Sequence, residues 1–348
     1  MKRIVALLLA LIMCLSLVAC GTANEEKKDE TQDANTITVV DMAGNEVAIP
    51  ADTKNNTVAT TYGVVTPFFV TLQMSDRVLA TTLKNKGFLR KVDEVIINTG
   101  DIGNLTLDSE KLAALNPSIL LCRKTEAEKI AIGEKLNIPT LSIYIESAEE
   151  VTGAYTFLGQ VFGCEERAAE LVSYIDAELK DIEKLAATIP EERKVTAICM
   201  GSKLGQISGA NMLQTMMIER AGGICKVQEV ANDEMWVEVG VEKVFSYNPD
   251  FIFVSSSNPL DYKLSNLYED SSWSGMTAVK NNHMCLIPAK IDSWDMPGPA
   301  FILGIYYMMH CMYPDVMTSE MLQAEIDDFY NTFYGMTFDG ETLGYSVD

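Results

Sequence analysis

Hydrophobic and polar positions change rhythm several times along the chain. An apolar run from Ile4 to Ala19 gives way to GTANEEKKDETQDANT, a stretch with seven charges and no aromatic residue. From Thr36 onward, short β-branched runs alternate with stretches of helical period. Thr36–Val40 and Glu46–Ile49 flank Asp41-Met-Ala-Gly-Asn45 and predict a hairpin. Further strands are expected at Thr57–Thr60, Val78–Ala80, Ile119–Leu121 and Thr140–Tyr144, with helices over 67–74, 108–115 and 124–136. Strand–helix alternation with short loops predicts a parallel α/β sheet.

Residues 164–188 break that alternation. Ala168, Leu171, Val172, Ile175, Leu179, Ile182, Leu185 and Ala186 recur at three- and four-residue steps. Glu165 and Glu166 open the segment, Lys180 and Lys184 lie near its end, and Pro190 stops it. Such a helix is a rod of about 37 Å, long enough to run the length of a domain. Beyond it, strands are expected at Lys194–Cys199, Phe251–Val254 and Met284–Ile287, and closing helices over 299–311 and 319–333.

An internal repeat ties the halves together. Residues 110–122 read EKLAALNPSILLC and residues 242–254 read EKVFSYNPDFIFV. Each copy predicts a short helix, an Asn-Pro turn and a buried strand, because proline ends a helix and pushes the preceding residue out of the right-handed helical region. Ser109 is the expected cap of the first helix; the second copy has Val241 at that place.

The first 35 residues read as address and anchor. Two basic residues, a 16-residue apolar run shorter than the ~20 a spanning helix needs, and a small-residue site predict a secretory signal over 1–19. Leu17-Val18-Ala19-Cys20 resembles the lipobox of bacterial lipoproteins, which implies lipidation of Cys20. Residues 20–35 are then a flexible tether, too polar to offset the entropy of ordering. The expected location is the outer face of the cell membrane, held there by the lipid alone.

Charge and cysteine usage narrow the function. The chain carries 27 basic and 49 acidic side chains; loss of residues 1–19 removes only Lys2 and Arg3, leaving a net charge of −24. That argues against nucleic acid and against direct binding to an anionic membrane surface. Six cysteines remain between Cys122 and Cys311, without C-x-x-C spacing and too sparse for a disulfide framework.

The pattern resembles the substrate-binding lipoproteins of bacterial ABC importers for ferric siderophores, haem and cobalamin. The resemblance covers about residues 36–335. It rests on the opening Thr36–Pro50 hairpin, the two Glu-Lys…Asn-Pro units, Ser208-Gly209-Ala210-Asn211 followed by Ala221-Gly222-Gly223, and Met312-Tyr313-Pro314-Asp315. It implies two Rossmann-like lobes with mainly parallel central sheets, residues 36–162 and 190–348. A single long helix, 163–189, joins them, with a ligand cleft between the lobes and modest closure. It also implies that Glu110 and Glu242 dock on the membrane permease, although a first-turn Glu ordinarily serves its own helix. The protein is expected to act as a monomer and to carry no cofactor, its ligand being a metal chelate or a corrinoid.

Ligands of open α/β sheets sit beyond the carboxyl ends of the strands. Candidate cleft residues from such loops are Tyr62, Lys84, Lys86, Arg90 and Arg123 in the first lobe. The second lobe offers Lys203, Trp236, Tyr262, Trp294 and Asp295. Basic first-lobe residues would suit an anionic chelate, and the two tryptophans would stack on a large flat ligand. Acids at Asp233, Glu234 and Asp292 accompany the second-lobe candidates. Two histidines make a dedicated metal centre a poor fit, and Met308–Met312 reads as core. The rival readings are an extracellular lipid-anchored hydrolase and a sensor or adhesion lipoprotein on the same fold. The chain has none of G-x-S-x-G, H-E-x-x-H or S-x-x-K, and no catalytic residue is assigned.

Overall fold

The structure is a computed structural model that describes residues 35–82, 86–103, 106–227 and 236–345. The signal segment, Cys20, the tether to residue 34, Lys84, the side chain of Lys86 and the acids Asp233 and Glu234 lie outside the described residues.

Strands β1 (Thr36–Val40) and β2 (Glu46–Pro50) form the antiparallel hairpin, with Thr36 opposite Pro50. Its turn is organised by Asp41, whose Oδ1 accepts the backbone N–H of Ala43 and Asn45. Asp41 Oδ2 accepts the N–H of Ser142 at 2.9 Å, and Met42 N–H donates to Ser142 O at 3.1 Å. The turn is thereby fastened to the edge of the first sheet. Burial opposes ionisation of Asp41, yet hydrogen bonds from Asn45, Ser142 and Ala43 outweigh it and hold the carboxyl below its ordinary range.

The first sheet holds β3 (Val58–Thr60), β4 (Val78–Ala80), β5 (Ile119–Arg123) and β6 (Thr140–Ile143), all parallel, in the order β4-β3-β5-β6. Its helices are α1 (Thr66–Thr71), α2 (Lys86–Val92), α3 (Glu94–Ile97), α4 (Ser109–Leu115), α5 (Ala127–Lys135) and α6 (Ala148–Phe162). Successive side chains of a strand face opposite ways. Ile119 and Leu121 accordingly join the main core, while Leu120 and Cys122 pack with Leu112 and Ile138 on the other face.

The linking helix α7 (Glu165–Ala186) has 22 residues, a length of about 33 Å. It buries Ala168, Leu171, Ile175 and Ile182, the stripe its periodicity predicts. Gly159 of α6 lets the two helices close up: a Cβ there would stand 2.8 Å from Ala168 Cβ.

The second sheet contains β7 (Thr196–Met200), β8 (Gln206–Ser208), β9 (Ile224–Cys225), β10 (Trp236–Glu238), β11 (Phe251–Val254) and β12 (Met284–Leu286). The order is β10-β8-β7-β11-β12, with β9 paired to β7. The β7, β9, β11 and β12 pairings are parallel; β8 and β10 add an antiparallel edge absent from the sequence reading. Both β7 and β11 are buried on both faces, which explains their unbroken apolar runs. The remaining helices are α8 (Leu213–Arg220), α9 (Val241–Tyr247), α10 (Leu264–Glu269), α11 (Thr277–Lys280), α12 (Phe301–Met312), α13 (Ser319–Tyr334) and α14 (Gly340–Leu343).

Helix α13 packs far from its neighbours in sequence. Tyr334 meets Phe88 of α2 edge-on at 5.0 Å, and Phe333 meets Tyr174 of α7 at 5.4 Å and Tyr155 of α6 at 6.5 Å. Arg167 of α7 donates to Thr71 O at 3.1 Å and to Thr332 O at 2.9 Å, joining the first lobe to α13.

The repeat takes the same form twice. Asn116 follows α4 at φ 45° and Asn248 follows α9 at φ 38°, each in the left-handed region that asparagine tolerates. Pro117 and Pro249 come next, then β5 and β11. The cap of α4 is Asp108, which accepts the Lys111 N–H at 3.0 Å, and not Ser109, which is the first helical residue.

The six cysteines are free thiols. Met308, Met309 and Met312 are buried, and His310 Nδ1 pairs with Met317 O at 2.8 Å. Among the described residues there is no group of three His, Cys, Asp or Glu able to hold a metal ion. Nor is any helix among them long and apolar enough to cross a membrane.

Candidate functional site: a pocket between the lobes

Three strand ends converge on one pocket of about 270 Å³. From the end of β3 the chain runs through Thr60, whose hydroxyl donates to Leu121 O at 2.9 Å and accepts Tyr62 N–H at 3.1 Å. Gly63 follows against the Thr82 backbone; a Cβ there would lie 2.2 Å from Thr82 O, so only glycine fits. This close approach sets Gly63, Val64 and Pro67 as the first-lobe wall. Beyond β11, Ser257 and Asn258 reach the pocket, while Ser256 Oγ donates to Ile287 O at 3.0 Å and fixes that loop beside β12. Beyond β12, the loop from Asp292 to Ala300 supplies the opposite wall, and Tyr334 of α13 closes one side.

The long loop is held by its own tryptophan. Trp294 is fully buried, its N–H donates to Pro288 O at 3.0 Å, and its indole Nε1 donates to Tyr330 Oη at 2.9 Å. Tyr330 Oη in turn donates to Asp292 Oδ2 at 3.1 Å. Asp292 is only 5 % exposed yet lines the pocket. Burial pushes its carboxyl up to about 7, against the opposing pull of hydrogen bonds from Tyr330 and Ser293.

The sequence candidates fall into separate groups. Tyr62 is buried, donates to Ile145 O at 3.4 Å, and has its phenol held well above the ordinary range by burial. Arg123 lies over the rings of Tyr62 at 5.7 Å and Tyr144 at 5.9 Å and is ion-paired with Glu146. A second group surrounds the β7–β8 turn. Tyr262 Oη donates to Gly201 O at 2.8 Å, half-buried Trp236 packs so close to Gly201 that a Cβ would stand 2.8 Å from its ring, and exposed Lys203 is paired with Glu238.

Three candidates are placed otherwise than expected. Trp294 does not offer its ring to the cleft, because its N–H finds a buried partner in Tyr330. Asp295 is fully buried behind the pocket wall, where burial pushes its carboxyl up to about 6 and its backbone carbonyl accepts Gln214 Nε2 at 2.8 Å. Arg90 is exposed on α2, away from the pocket lining. The sequence reading named the Asp292 loop but not Asp292 as a pocket residue, and it missed Tyr330 and Tyr334. Their only signal was the aromatic density of the last long helix, FYNTFY.

The expected docking acids Glu110 and Glu242 are both exposed, each in the first turn of its helix.

Two α/β lobes joined by one helix, with a pocket where strand ends of both lobes meet, define a solute-binding architecture. A family model for periplasmic binding proteins matches residues 58–291, and the chain belongs to that family. It is 24% identical over 318 residues to the uncharacterized ABC transporter substrate-binding lipoprotein YvrC of Bacillus subtilis, covering 89% of this chain and 96% of that one. It is 22% identical over 297 residues to the iron(3+)-hydroxamate-binding protein FhuD of the same organism, covering 81% and 89%. The crystal structure of a periplasmic solute binding protein from Veillonella parvula shares the fold, with a TM-score of 0.74 and 22% identity over 90% of this chain and 98% of that one.

Proposed function

We propose that this chain captures a metal complex, a ferric siderophore or haem, or else a corrinoid, outside the cytoplasm and hands it to an ABC permease. It does so as a monomer tethered through a lipid on Cys20, and it acts by binding rather than by catalysis. The observation that carries the reading is the pocket itself. Its walls come from the carboxyl ends of β3, β11 and β12, the place where α/β sheets receive ligands, and they belong to both lobes. Family membership and the names of the two relatives support the importer role, the lipid anchor and the iron complex.

Transfer follows from the placement of the exposed acids. Glu110 and Glu242 start equivalent helices of the two lobes, so a permease that grips both can sense that the lobes are together and can part them. The test is direct. The purified protein is incubated with a ferric hydroxamate, haem and cobalamin in turn, desalted, and examined by visible absorbance and native mass spectrometry. Retention of one class at one molecule per chain is the expected result; retention of none would overturn the reading.

A further inference from the structure

The pocket's polar lining is one-sided. Among the described lining residues the ionisable groups are Asp292 and Tyr334, and none is lysine, arginine or histidine. Among the described basic candidates, Arg123 is engaged with Glu146 and Lys203 with Glu238, Arg90 lies on α2 outside the lining, and Lys290 Nζ donates to Glu341 O at 2.6 Å. The first-lobe wall of Gly63, Val64 and Pro67 brings no titratable side chain.

The network behind Asp292 also has a direction. An indole N–H can only donate, so Tyr330 Oη must accept from Trp294, and its own proton is then free to go to Asp292 Oδ2. The relay therefore supports Asp292 as an acceptor. An anion entering beside it would meet a buried carboxylate with no neutralising partner among the described lining residues, whereas a cation offsets the cost of desolvating that carboxylate. From this we infer that the pocket selects a metal complex bearing a basic nitrogen, held by Asp292, and discriminates against polyanionic complexes. The inference rests on the reading of the pocket as a chelate site and adds the charge of the cargo.

Titration sharpens the expectation. Among the described residues, the groups facing Asp292 are Tyr330 and Tyr334 of α13 and Ser293 of its own loop, so among them the acid is the group that changes charge near neutrality. Binding of a cationic complex should strengthen as Asp292 ionises between about pH 6 and about pH 8.

The experiment compares three ferric complexes by isothermal titration calorimetry on the intact protein. They are a linear trihydroxamate ending in a free amine (desferrioxamine B), the same ligand with that amine acetylated, and a tricatecholate of net negative charge. The amine complex is expected to bind about tenfold more tightly than its acetylated twin, and the tricatecholate more weakly than both. In Asp292→Asn the amine advantage should vanish, and Asp292→Glu should restore part of it. Equal affinity for the amine and acetylated complexes in the unaltered protein would overturn the inference while leaving the chelate reading in place. That comparison decides the matter even where a variant does not fold. Binding of none of the three, nor of haem or cobalamin, would overturn the chelate reading and the inference with it.

Discussion

The two copies of the helix–Asn–Pro–strand unit share a sequence pattern, but their helices begin differently. The first is organised from just upstream: Asp108 caps α4, and its own N–H donates to Ile102 O at 2.7 Å. The second starts at Gly240, φ 80°, without a side-chain cap; the N–H groups of Val239 and Gly240 both donate to Gly205 O, from the distant β7–β8 turn. One start is written locally and the other is imposed by tertiary structure. A duplicated motif thus conserves its geometry while the forces that hold it are exchanged.

The largest expected effect comes from removing what the copies share. Glu110→Ala combined with Glu242→Ala should reduce uptake in cells to background while ligand affinity, measured on purified protein, stays unchanged. Loss of affinity in the double variant would mean that these acids serve the pocket rather than the permease. Uptake measured in the single variants tells whether the differently anchored helices contribute equally.

Next in size is the tertiary anchor of the second copy. Gly205 has φ 79°, and a Cβ there would lie 2.9 Å from the Gly240 carbonyl carbon. Gly205→Ala should cost about 2 kcal/mol in urea unfolding through left-handed strain plus the clash, with hydrogen exchange rising first in α9 and not in α4. Faster exchange in α4 alone would contradict this division.

The smallest difference lies in the left-handed asparagines. Asn116→Ala should cost about 1 kcal/mol for the backbone conformation. Asn248→Ala should cost about 1 kcal/mol more, because Asn248 Oδ1 also accepts the N–H of Thr277 at 2.8 Å and caps α11. Paired urea melts of the two variants measure the gap; equal losses would remove the second role of Asn248.

The same contrast explains what could be read from sequence. Elements with a strong local signature were legible: the hairpin around Asp41, the stripe of α7, the unbroken apolar runs of β5 and β11, and the repeat. Helix α6 was not. Nine of its fifteen residues are buried, its polar face is a thin line of Glu149, Thr152, Thr156 and Gln160, and Gly153 and Gly159 dilute its propensity. Strands β8, β9 and β10 are two or three residues long and exist through pairing, not propensity.

At the site, the loops could be located from strand ends, but side-chain direction could not. Asp292 and Trp294 stand two residues apart, one lining the pocket and the other buried behind it. What separates them is the hydroxyl of Tyr330, supplied from α13. No local pattern carries that information.

Helix α13 has a consequence for binding thermodynamics. The lobes are joined by α7 and bridged again by the end of the chain, through Tyr334 against Phe88 and Arg167 between Thr71 and Thr332. A frame fastened twice should have few apo conformers that cannot bind, so the competent fraction is expected to be large. The dissociation constant should then lie close to the intrinsic one, undiluted by an unfavourable pre-equilibrium. Residence time should correspondingly be set by this doubly fastened frame, and shortening it should require the permease to strain both fastenings.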